Sequence, residues 1–465
     1  MSFVICIAAL CFLMFMAYRG FSVILFAPIA AMGAVLLTDP KAVLPIYSGL
    51  FMPKMVFFVQ NYFPAFMLGA IFGKLIELSG FAKSIVHAVV KIVGASRAML
   101  SIVVVCMLLT YFGVSLFVVV FAVYPFAVEL FRALNIPKRL IPGTIALGSF
   151  TVTMDSLPGT PQIQNIIPTT FFKTDAYAAP WLGTFGAIFI IVLGMAYLEY
   201  QRRKAARAGE GYGTGHINEP APIDMSKLVN PVIAILPLLV VGFANYFLTK
   251  VFIHGWYGDV FSVQLSDGMK DPVVAKIGAL VGIWAVEIAL VLGIVMVVIF
   301  GFKAISKGFI EGTKSAIGGA MLACINTASE YGFGSVIAAL PGFVVIANAL
   351  KAIPNPLVQE AISVNVLAGV TGSASGGLGI ALATMSQHFI EAANAAHIPM
   401  QVLHRVASMA SGGMDTLPHN GAVITLLAVT GLTHRQSYKD IFAVTCIKAT
   451  AVFVVIALYY LTHLV

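Results

Sequence analysis

Charged residues are scarce in this sequence. Lysine, arginine, aspartate and glutamate make up 10% of the 465 residues, whereas 60% are hydrophobic. A soluble domain carries about 25% charged residues, and the mean hydropathy here is +0.98. Because too few polar side chains are present to cover so much apolar surface, a soluble globular domain is excluded.

Cysteines and nucleotide-binding sequences are also lacking. The five cysteines lie scattered in apolar segments, and none has the spacing of metal ligands, so we interpret them as packing residues. No P-loop sequence is present, which argues against pumping driven by ATP. The sequence therefore predicts a protein without cofactors, without a structural metal and without enzymatic activity.

Long apolar runs are what the sequence does contain. Spanning a bilayer takes about 20 apolar residues. Runs near this length recur at 21–37, 98–112, 181–200, 231–252, 277–302 and 441–465. They predict an all-α polytopic membrane protein embedded in the lipid bilayer. The net charge of +8 is then explained by basic residues in cytoplasmic loops, so no nucleic-acid partner is expected.

A polar segment divides the chain near its middle. Residues 201–228 are rich in glycine, proline and charge, which is typical of a linker. A basic cluster directly follows the preceding apolar run and predicts a cytoplasmic location for this linker. The linker separates a first half, 1–200, from a second half, 229–465, and we expect one repeat in each half, at roughly 54–200 and 303–465.

The two halves share three short motifs in the same order. The matched pairs are ELSGFAKSIV (77–86) with SEYGFGSVIA (329–338), ALNIPKRL (133–140) with AAHIPMQV (395–402), and MDSLP (154–158) with MDTLP (414–418). A fixed order around a central linker predicts an internal repeat. Basic residues follow the motifs of the first half and are nearly absent after those of the second, so the positive-inside rule predicts two inverted-topology repeats.

Each repeat also contains a helix break in an apolar region. Proline and glycine interrupt the helix at MDSLPGT (154–160), and proline does so at MDTLPHN (414–420). The predicted discontinuous helices are 139–153 with 162–172, and 402–411 with 422–430. Broken backbone at membrane depth survives only where it is buried in protein or lines a cavity, so the breaks are predicted to form the functional site.

Small residues interrupt the apolar sequence upstream of each break. YFGVS (111–115) and TGSASGG (371–377) predict the tips of re-entrant hairpins, where glycines and hydroxyls let a ligand approach the backbone. A third polar patch, NTASE (326–330), has a far less polar counterpart in the first half. The two halves are therefore not chemically equivalent.

Polar residues at the breaks, the tips and the third patch are the predicted binding residues. Half-helix N-termini suit a carboxylate, whereas carbonyls and acidic side chains suit a cation or a proton. The predicted substrate-binding residues are Gly113, Ser115, Ser156, Gly159, Thr160, Gln162, Asn326, Thr327, Ser373, Ser375, Thr416, His419 and Asn420. The predicted ion-coupling residues are Asp155, Asp415 and Glu330, with sodium near either aspartate as one option.

Structural roles stay open for several of these residues. Asp155 and Asp415 could cap the half-helices beside them. The serines of the tips could serve close helix packing, and His419 could make a structural hydrogen bond.

Four segments occur in a specific order along the chain: FGKLIELSGFAKSI (72–85), FGVSLFVVVFAVYPF (112–126), SLPGTPQIQN (156–165) and GSASGGLGIALAT (372–384). They resemble the gluconate permease (GntP-type) family of bacterial secondary transporters, within the ion transporter superfamily. The likeness runs over nearly the whole chain. Gluconate-type members tend to have a histidine-proline element in the first break, where this chain has Gly159-Thr160-Pro161. Because of this departure the sequence looks closer to the D-β-hydroxybutyrate permeases.

The resemblance implies cation-coupled uptake of a small organic anion on a scaffold with paired re-entrant hairpins. Relatives in the superfamily are commonly homodimers that move a transport domain like an elevator. We therefore expect a symporter of the bacterial inner membrane that imports a small hydroxylated monocarboxylate, with 3-hydroxybutyrate favoured over gluconate and protons favoured over sodium. A passive channel and an intramembrane aspartyl hydrolase are the rival classes.

Overall fold

The computed structural model describes residues 2–19, 21–94, 97–220, 228–266, 269, 271–343, 345, 353–418 and 420–465. Within these residues the chain is almost entirely helical, and its single sheet is a two-stranded hairpin. The predicted site residue His419 lies outside the described residues.

Eleven helices precede the linker in the described part of the chain. They are α1 (Ser2–Tyr18), α2 (Val23–Thr38), α3 (Val43–Ile46), α4 (Met52–Leu78), α5 (Phe81–Val93), α6 (Ala98–Tyr111), α7 (Leu116–Ala133), α8 (Leu140–Ser149), α9 (Val152–Asp155), α10 (Ile163–Phe172) and α11 (Pro180–Arg207). A 3₁₀ turn at Pro40–Ala42 and a π-helical segment at Tyr47–Phe51 join α3 and α4 into one continuous helical stretch.

The second half adds nine described helices and the β-hairpin. They are α12 (Pro231–Phe247), α13 (Ile253–Tyr257), β1 (Val260–Val263), β2 (Val273–Lys276), α14 (Val281–Ile305), α15 (Phe309–Ala339), α16 (Pro356–Thr371), α17 (Ala374–Ala395), α18 (Met400–Ser411), α19 (Gly421–Thr430) and α20 (His434–Thr462). The two strands are antiparallel, with Val260 opposite Lys276. A π-helical segment at Leu248–Phe252 joins α12 to α13.

Five described helical segments are long and apolar enough to cross a membrane. They are Pro40–Leu78, Pro180–Arg207, Pro231–Tyr257, Val281–Ile305 and His434–Thr462. Large apolar side chains on these segments, such as Val192, Ile299 and Phe302, are exposed, as contact with lipid requires. The prediction of an all-α polytopic membrane protein is confirmed.

The helices of both halves follow the same order around the predicted tips and breaks. α6 and α7 form one hairpin with its tip at 112–115, and α16 and α17 form the other with its tip at 372–373. α8 to α10 and α18 to α19 are the two discontinuous helices. α15 runs without a break through the polar patch 326–330 and packs along α4. The inverted orientation of the two repeats stays a prediction.

The central linker lies against the C-terminal end of α7 and the short loop that leads to α8. α11 extends into it as far as Arg207. Glu219 accepts hydrogen bonds from Lys138 Nζ at 2.7 Å and from the Tyr212 hydroxyl at 2.9 Å, and it is ion-paired with Arg132. Burial raises the pKa of Glu219, but these hydrogen bonds and the neighbouring cations outweigh that effect and hold its pKa below the usual range.

Replacing Glu219 by glutamine is expected to loosen the linker. Since the pKa of Glu219 is lowered in the folded chain, its stabilisation is fully present above the ordinary glutamate pKa of about 4.3 and is lost as the pH falls through the lowered value. Losing the ion pairs should remove about 1 kcal/mol, seen as a roughly fivefold loss of amide hydrogen-exchange protection over residues 208–220 at neutral pH.

The matched control is Glu311→Gln, which removes an exposed ion pair with Lys314 on α15. It should leave exchange in the linker unchanged. Equal protection in Glu219→Gln and the unaltered protein would refute the role assigned to this carboxylate.

Candidate functional site

The tip of the first hairpin lies against the first break. Gly113 has a φ of +92°, and a Cβ added to it would lie 3.0 Å from Pro161 Cγ, so a larger residue would hinder this approach. Gln162 Nε2 donates a hydrogen bond to the Thr110 carbonyl at 2.7 Å. We call this contact between residues 110–115 and 156–163 the first junction.

The second hairpin makes the equivalent contact with the second break. Asn420 Nδ2 donates to the Gly372 carbonyl at 2.7 Å. A Cβ added to Gly369 would lie 3.1 Å from Met414 Cβ. We call this contact between residues 369–373 and the described residues 412–418 and 420 the second junction. The fold thus brings the predicted tip and the predicted break of each half together.

Side chains within the first break satisfy much of its interrupted backbone. Thr160 Oγ1 donates to the Thr153 carbonyl at 2.6 Å. Asn165 Nδ2 donates to the carbonyls of Thr160 and Ala176, each at 2.9 Å. Gly159, at a φ of +82°, donates its amide to the Ala176 carbonyl at 2.8 Å. Gly159 and Thr160 therefore hold the shape of the break.

The helix N-termini at the two junctions differ in their capping. In the second junction, Ser373 Oγ accepts the Gly376 amide at 3.0 Å, and Asn420 Oδ1 accepts two amides at the start of α19. Ser115 and Gln162 hold the corresponding positions in the first junction, and neither side chain caps its helix among the described residues. Uncapped amides and the helix dipole favour an anion at the first junction.

Asp155 and Asp415 come together around a lysine that the sequence predictions omitted. Lys448 Nζ, on a side chain that is 2% exposed, donates to Asp415 Oδ1 at 2.9 Å and to the Phe150 carbonyl at 2.7 Å. Asp155 is fully buried, and its Oδ1 accepts a hydrogen bond from Ser156 Oγ at 2.7 Å. Both predicted ion-coupling aspartates therefore already have polar partners from the chain.

Arg405 is a second buried cation that the predicted site lacked. It is 0% exposed, and its Nε and Nη2 donate to the Ala178 carbonyl at 3.1 and 2.7 Å. Its Nη1 donates to the Asp155 carbonyl and to Asn165 Oδ1, both at 3.0 Å. We call Asp155, Asp415, Arg405 and Lys448 the charged cluster. It ties α18 and α20 of the second half to the first break.

The first discontinuous helix has an additional break. α8 ends at Ser149 and α9 begins at Val152, so the predicted unbroken half-helix over 139–153 is wrong at 150–151. No proline or glycine lies at these two positions. The freed Phe150 carbonyl accepts the ammonium group of Lys448 from the other half of the chain, a contact that local sequence cannot indicate.

Glu330 lies in a group of hydroxyl-bearing side chains at the start of α17. It is 5% exposed, and its Oε2 accepts no hydrogen bond from the described part of the chain. A Cβ added to Gly376 would lie 1.7 Å from this oxygen. Ser375 Oγ lies 3.4 Å from both Thr327 Oγ1 and Ser373 Oγ. We call Glu330, Thr327, Ser373 and Ser375 the Glu330 cluster.

A further buried carboxyl group, Glu360 on α16, was missed at the sequence level. It is 0% exposed, and neither of its carboxyl oxygens has a hydrogen-bond partner among the described residues. Asn365 Oδ1 on the same helix is likewise unpartnered there and lies against Gly413 of the second break. Buried polar atoms are nearly always partnered, so these oxygens mark the second hairpin as a region suited to a cation or a proton.

Sequence signals for the missed residues existed. Lys448 is an ionisable residue inside the predicted membrane segment 441–465, which makes it a functional hypothesis by default, whereas Glu360 lies within the predicted second repeat but outside the predicted apolar runs. Their partners, however, come from distant parts of the chain.

The remaining predicted residues differ in their surroundings. Thr416 Oγ1 lies 2.5 Å from Thr445 Oγ1, which gives it a partner within the fold. Asn326 is half-buried on α15, about one turn before Glu330. Which of the predicted residues contact a substrate or an ion stays a prediction.

A polytopic helical fold with two hairpins that meet two broken helices, around buried charged groups, defines a membrane transporter. Comparison with known proteins agrees. The chain is 56% identical over 474 aligned positions to the uncharacterized transporter YxjC of Bacillus subtilis (strain 168), and the alignment covers 100% of both chains. The chain belongs to the family of this transporter. No protein-family model matches it.

A solved structure shares the fold. The YdaH transporter of Alcanivorax borkumensis superposes with a TM-score of 0.57, covering 88% of this chain and 87% of that one. The two sequences are 12% identical, so the likeness concerns the fold alone.

Proposed function

We propose that the protein is a symporter that imports a small hydroxylated monocarboxylate, with 3-hydroxybutyrate as the favoured substrate. The proposal includes membership of the gluconate permease family, on the branch closest to the D-β-hydroxybutyrate permeases. Its main support is the opposite chemistry of the two junctions. Among the described residues, the helix N-termini of the first junction have no side-chain cap, and the second junction adjoins buried carboxyl oxygens that have no hydrogen-bond partner.

The substrate is proposed to bind at the first junction. The N-termini of α7 and α10 would hold the carboxylate, and glycine at 113 lets the first tip approach Pro161 closely enough to bring these N-termini together. The hydroxyl of Ser115 and the side-chain amide of Gln162 would meet the substrate hydroxyl. A small carboxylate with one hydroxyl needs fewer hydrogen-bonding groups from the protein than a sugar acid with several hydroxyls, which favours the smaller substrate.

The coupling ion is proposed to bind near the second hairpin, with the Glu330 cluster and Glu360 as its acceptors. An ionised carboxylate buried without hydrogen bonds is strongly destabilised, whereas a protonated one is tolerated. Both oxygens of Glu360 and one of Glu330 are in this situation among the described residues. This favours protons over sodium as the coupling ion.

Alternating access is proposed to move the hairpins and broken helices as one unit. Arg405 and Lys448 tie the two halves together through buried hydrogen bonds, which supports movement of this unit as a whole. An elevator-type movement within a homodimer of the bacterial inner membrane follows from the family resemblance.

The rival classes fit the geometry less well. An aspartyl hydrolase needs two carboxyl groups that share a proton, but here Asp415 binds the ammonium group of Lys448 and Asp155 binds the hydroxyl of Ser156. A passive channel needs a continuous polar path, and both junctions are closed by direct tip-to-break contacts.

Uptake of labelled 3-hydroxybutyrate into proteoliposomes tests the proposal. We expect accumulation above the external concentration when an inward proton gradient is imposed, and abolition of that accumulation by a protonophore. An imposed sodium gradient should have a smaller effect, lactate should compete, and gluconate should compete more weakly.

Protein-free liposomes are the control. Equilibration without accumulation under every gradient would identify a passive pathway and contradict symport. Stronger competition by gluconate than by lactate would move the substrate class to sugar acids.

A further inference from the structure

Lys448 occupies an environment built from cation-binding groups. Its ammonium group contacts a carboxylate oxygen of Asp415 and the carbonyl of Phe150, which caps the C-terminal end of α8. The C-terminal end of a helix carries partial negative charge and favours a cation. An acidic side chain and a freed carbonyl at a helix break are the groups that coordinate sodium in transporters with discontinuous helices.

A second carboxylate oxygen lies near the same position. A Cβ added to Gly412 would lie 1.8 Å from Asp155 Oδ2 and 3.4 Å from Lys448 Cε. Glycine at 412 therefore leaves room for the Asp155 carboxylate and the lysine side chain to share one side of the second break. The charged groups surrounding the ammonium are thus Asp415 and Asp155, with Arg405 hydrogen-bonded to the Asp155 backbone.

The charge of this cluster is balanced without any added ion when both aspartates are ionised. In that state Asp155 and Asp415 contribute two negative charges, and Lys448 and Arg405 contribute two positive charges. A free cation entering the cluster would create an excess charge in a buried region, which is strongly unfavourable. It would also compete with Lys448 for the oxygens of Asp415 and Phe150.

We propose that the ammonium group of Lys448 is a tethered cation that fills a monovalent-cation site between the two broken helices. The site itself is independent of the proposed transport function, whereas its consequence for coupling rests on that function. With this site filled by the chain, the coupling cation has to bind elsewhere. The Glu330 cluster is favoured because Glu330 Oε2 has no hydrogen-bond partner among the described residues.

Removing the ammonium group should create a site for a free monovalent cation. Purified Lys448→Ala is expected to melt about 5 °C or more below the unaltered protein in choline chloride. Ammonium chloride or sodium chloride at the same ionic strength should restore at least half of that loss, because either ion fits the vacated oxygens and choline does not. The unaltered protein should show a much smaller difference among the three salts.

The double variant Lys448→Ala/Asp415→Asn is the matched control, because it removes the carboxylate that would hold the free cation. It should show no selective stabilisation by ammonium or sodium. If Lys448→Ala does not survive extraction, Lys448→Ser is used, since it also removes the ammonium group and leaves the oxygens of Asp415 and Phe150 vacated.

Two results would overturn the proposal. One is the absence of selective stabilisation in the single variant, and the other is its persistence in the double variant. The melting temperature does not depend on transport. Salt-selective stabilisation of Lys448→Ala would therefore support the tethered-cation site even if the uptake assay contradicted the proposed function.

Discussion

Replacing Arg405 by leucine is expected to lower the free energy of unfolding by about 3–5 kcal/mol, the range seen when one member of a buried charged network is removed. The guanidinium group donates to the carbonyls of Ala178 and Asp155 and to Asn165 Oδ1. The Ala178 carbonyl would lose both guanidinium donors, whereas the Asp155 carbonyl and Asn165 Oδ1 would each lose one donor and keep Ser408 Oγ and His404 Nε2 as partners. Chemical unfolding of the purified protein measures the loss, and substrate uptake should fall with it.

The control for this substitution is Arg203→Leu at the end of α11. The Arg203 side chain is 67% exposed and pairs with Glu199, so its replacement should change stability by no more than about 1 kcal/mol. Arg405→Lys keeps the charge but cannot reach all three acceptors. Its loss of unfolding free energy should therefore lie between those of Arg405→Leu and Arg203→Leu. If Arg405→Leu unfolds like the unaltered protein, the guanidinium does not hold the two halves together.

Glu330→Gln is expected to abolish concentrative uptake, with at least a tenfold loss of accumulation under an imposed proton gradient. Glutamine has nearly the same shape as glutamate but cannot take up and release a proton. Because removing a buried carboxyl group also removes its desolvation cost, the variant should fold at least as stably as the unaltered protein. Exchange of external labelled substrate against internal unlabelled substrate should continue, since the first junction is intact.

Glu77→Gln provides the matched control because Glu77 occupies nearly the same position in the repeat of the first half. Its carboxylate is 38% exposed and pairs with Lys74, so this variant should accumulate substrate within about twofold of the unaltered protein. Normal gradient-driven accumulation in Glu330→Gln would exclude Glu330 from coupling and leave Glu360 as the next residue to test.

The two repeats therefore use one architecture for different chemistry. In the first junction, Gly113 belongs to the tip and Gln162 to the break, and no side chain in the described part of the chain caps the helix N-termini there. In the second, Ser373 and Asn420 cap the corresponding helices. The capped junction adjoins Glu330, the acidic residue of the third polar patch. This division separates a proposed anion site from a proposed cation site.

The amino-acid sequence alone determined the class, four of the five long membrane segments and the position of both proline breaks, but the predicted apolar runs missed Pro40–Leu78. Apolar run length and proline chemistry are local properties. The predicted half-helices 162–172 and 422–430 therefore lie within one residue of the observed Ile163–Phe172 and Gly421–Thr430. The tips at 112–115 and 372–373 followed from glycine and serine between apolar runs in the same way.

Only the tertiary structure decided what the buried charges do. The sequence predictions gave Asp155 and Asp415 the ion-coupling role, but they could not show that Lys448 and Arg405 reach the same breaks from the second half. The break at 150–151 was missed for the same reason, because its stabilising partner lies 298 residues away. Charge pairing at membrane depth depends on which distant residues the fold brings within hydrogen-bond distance, and no local pattern contains that information.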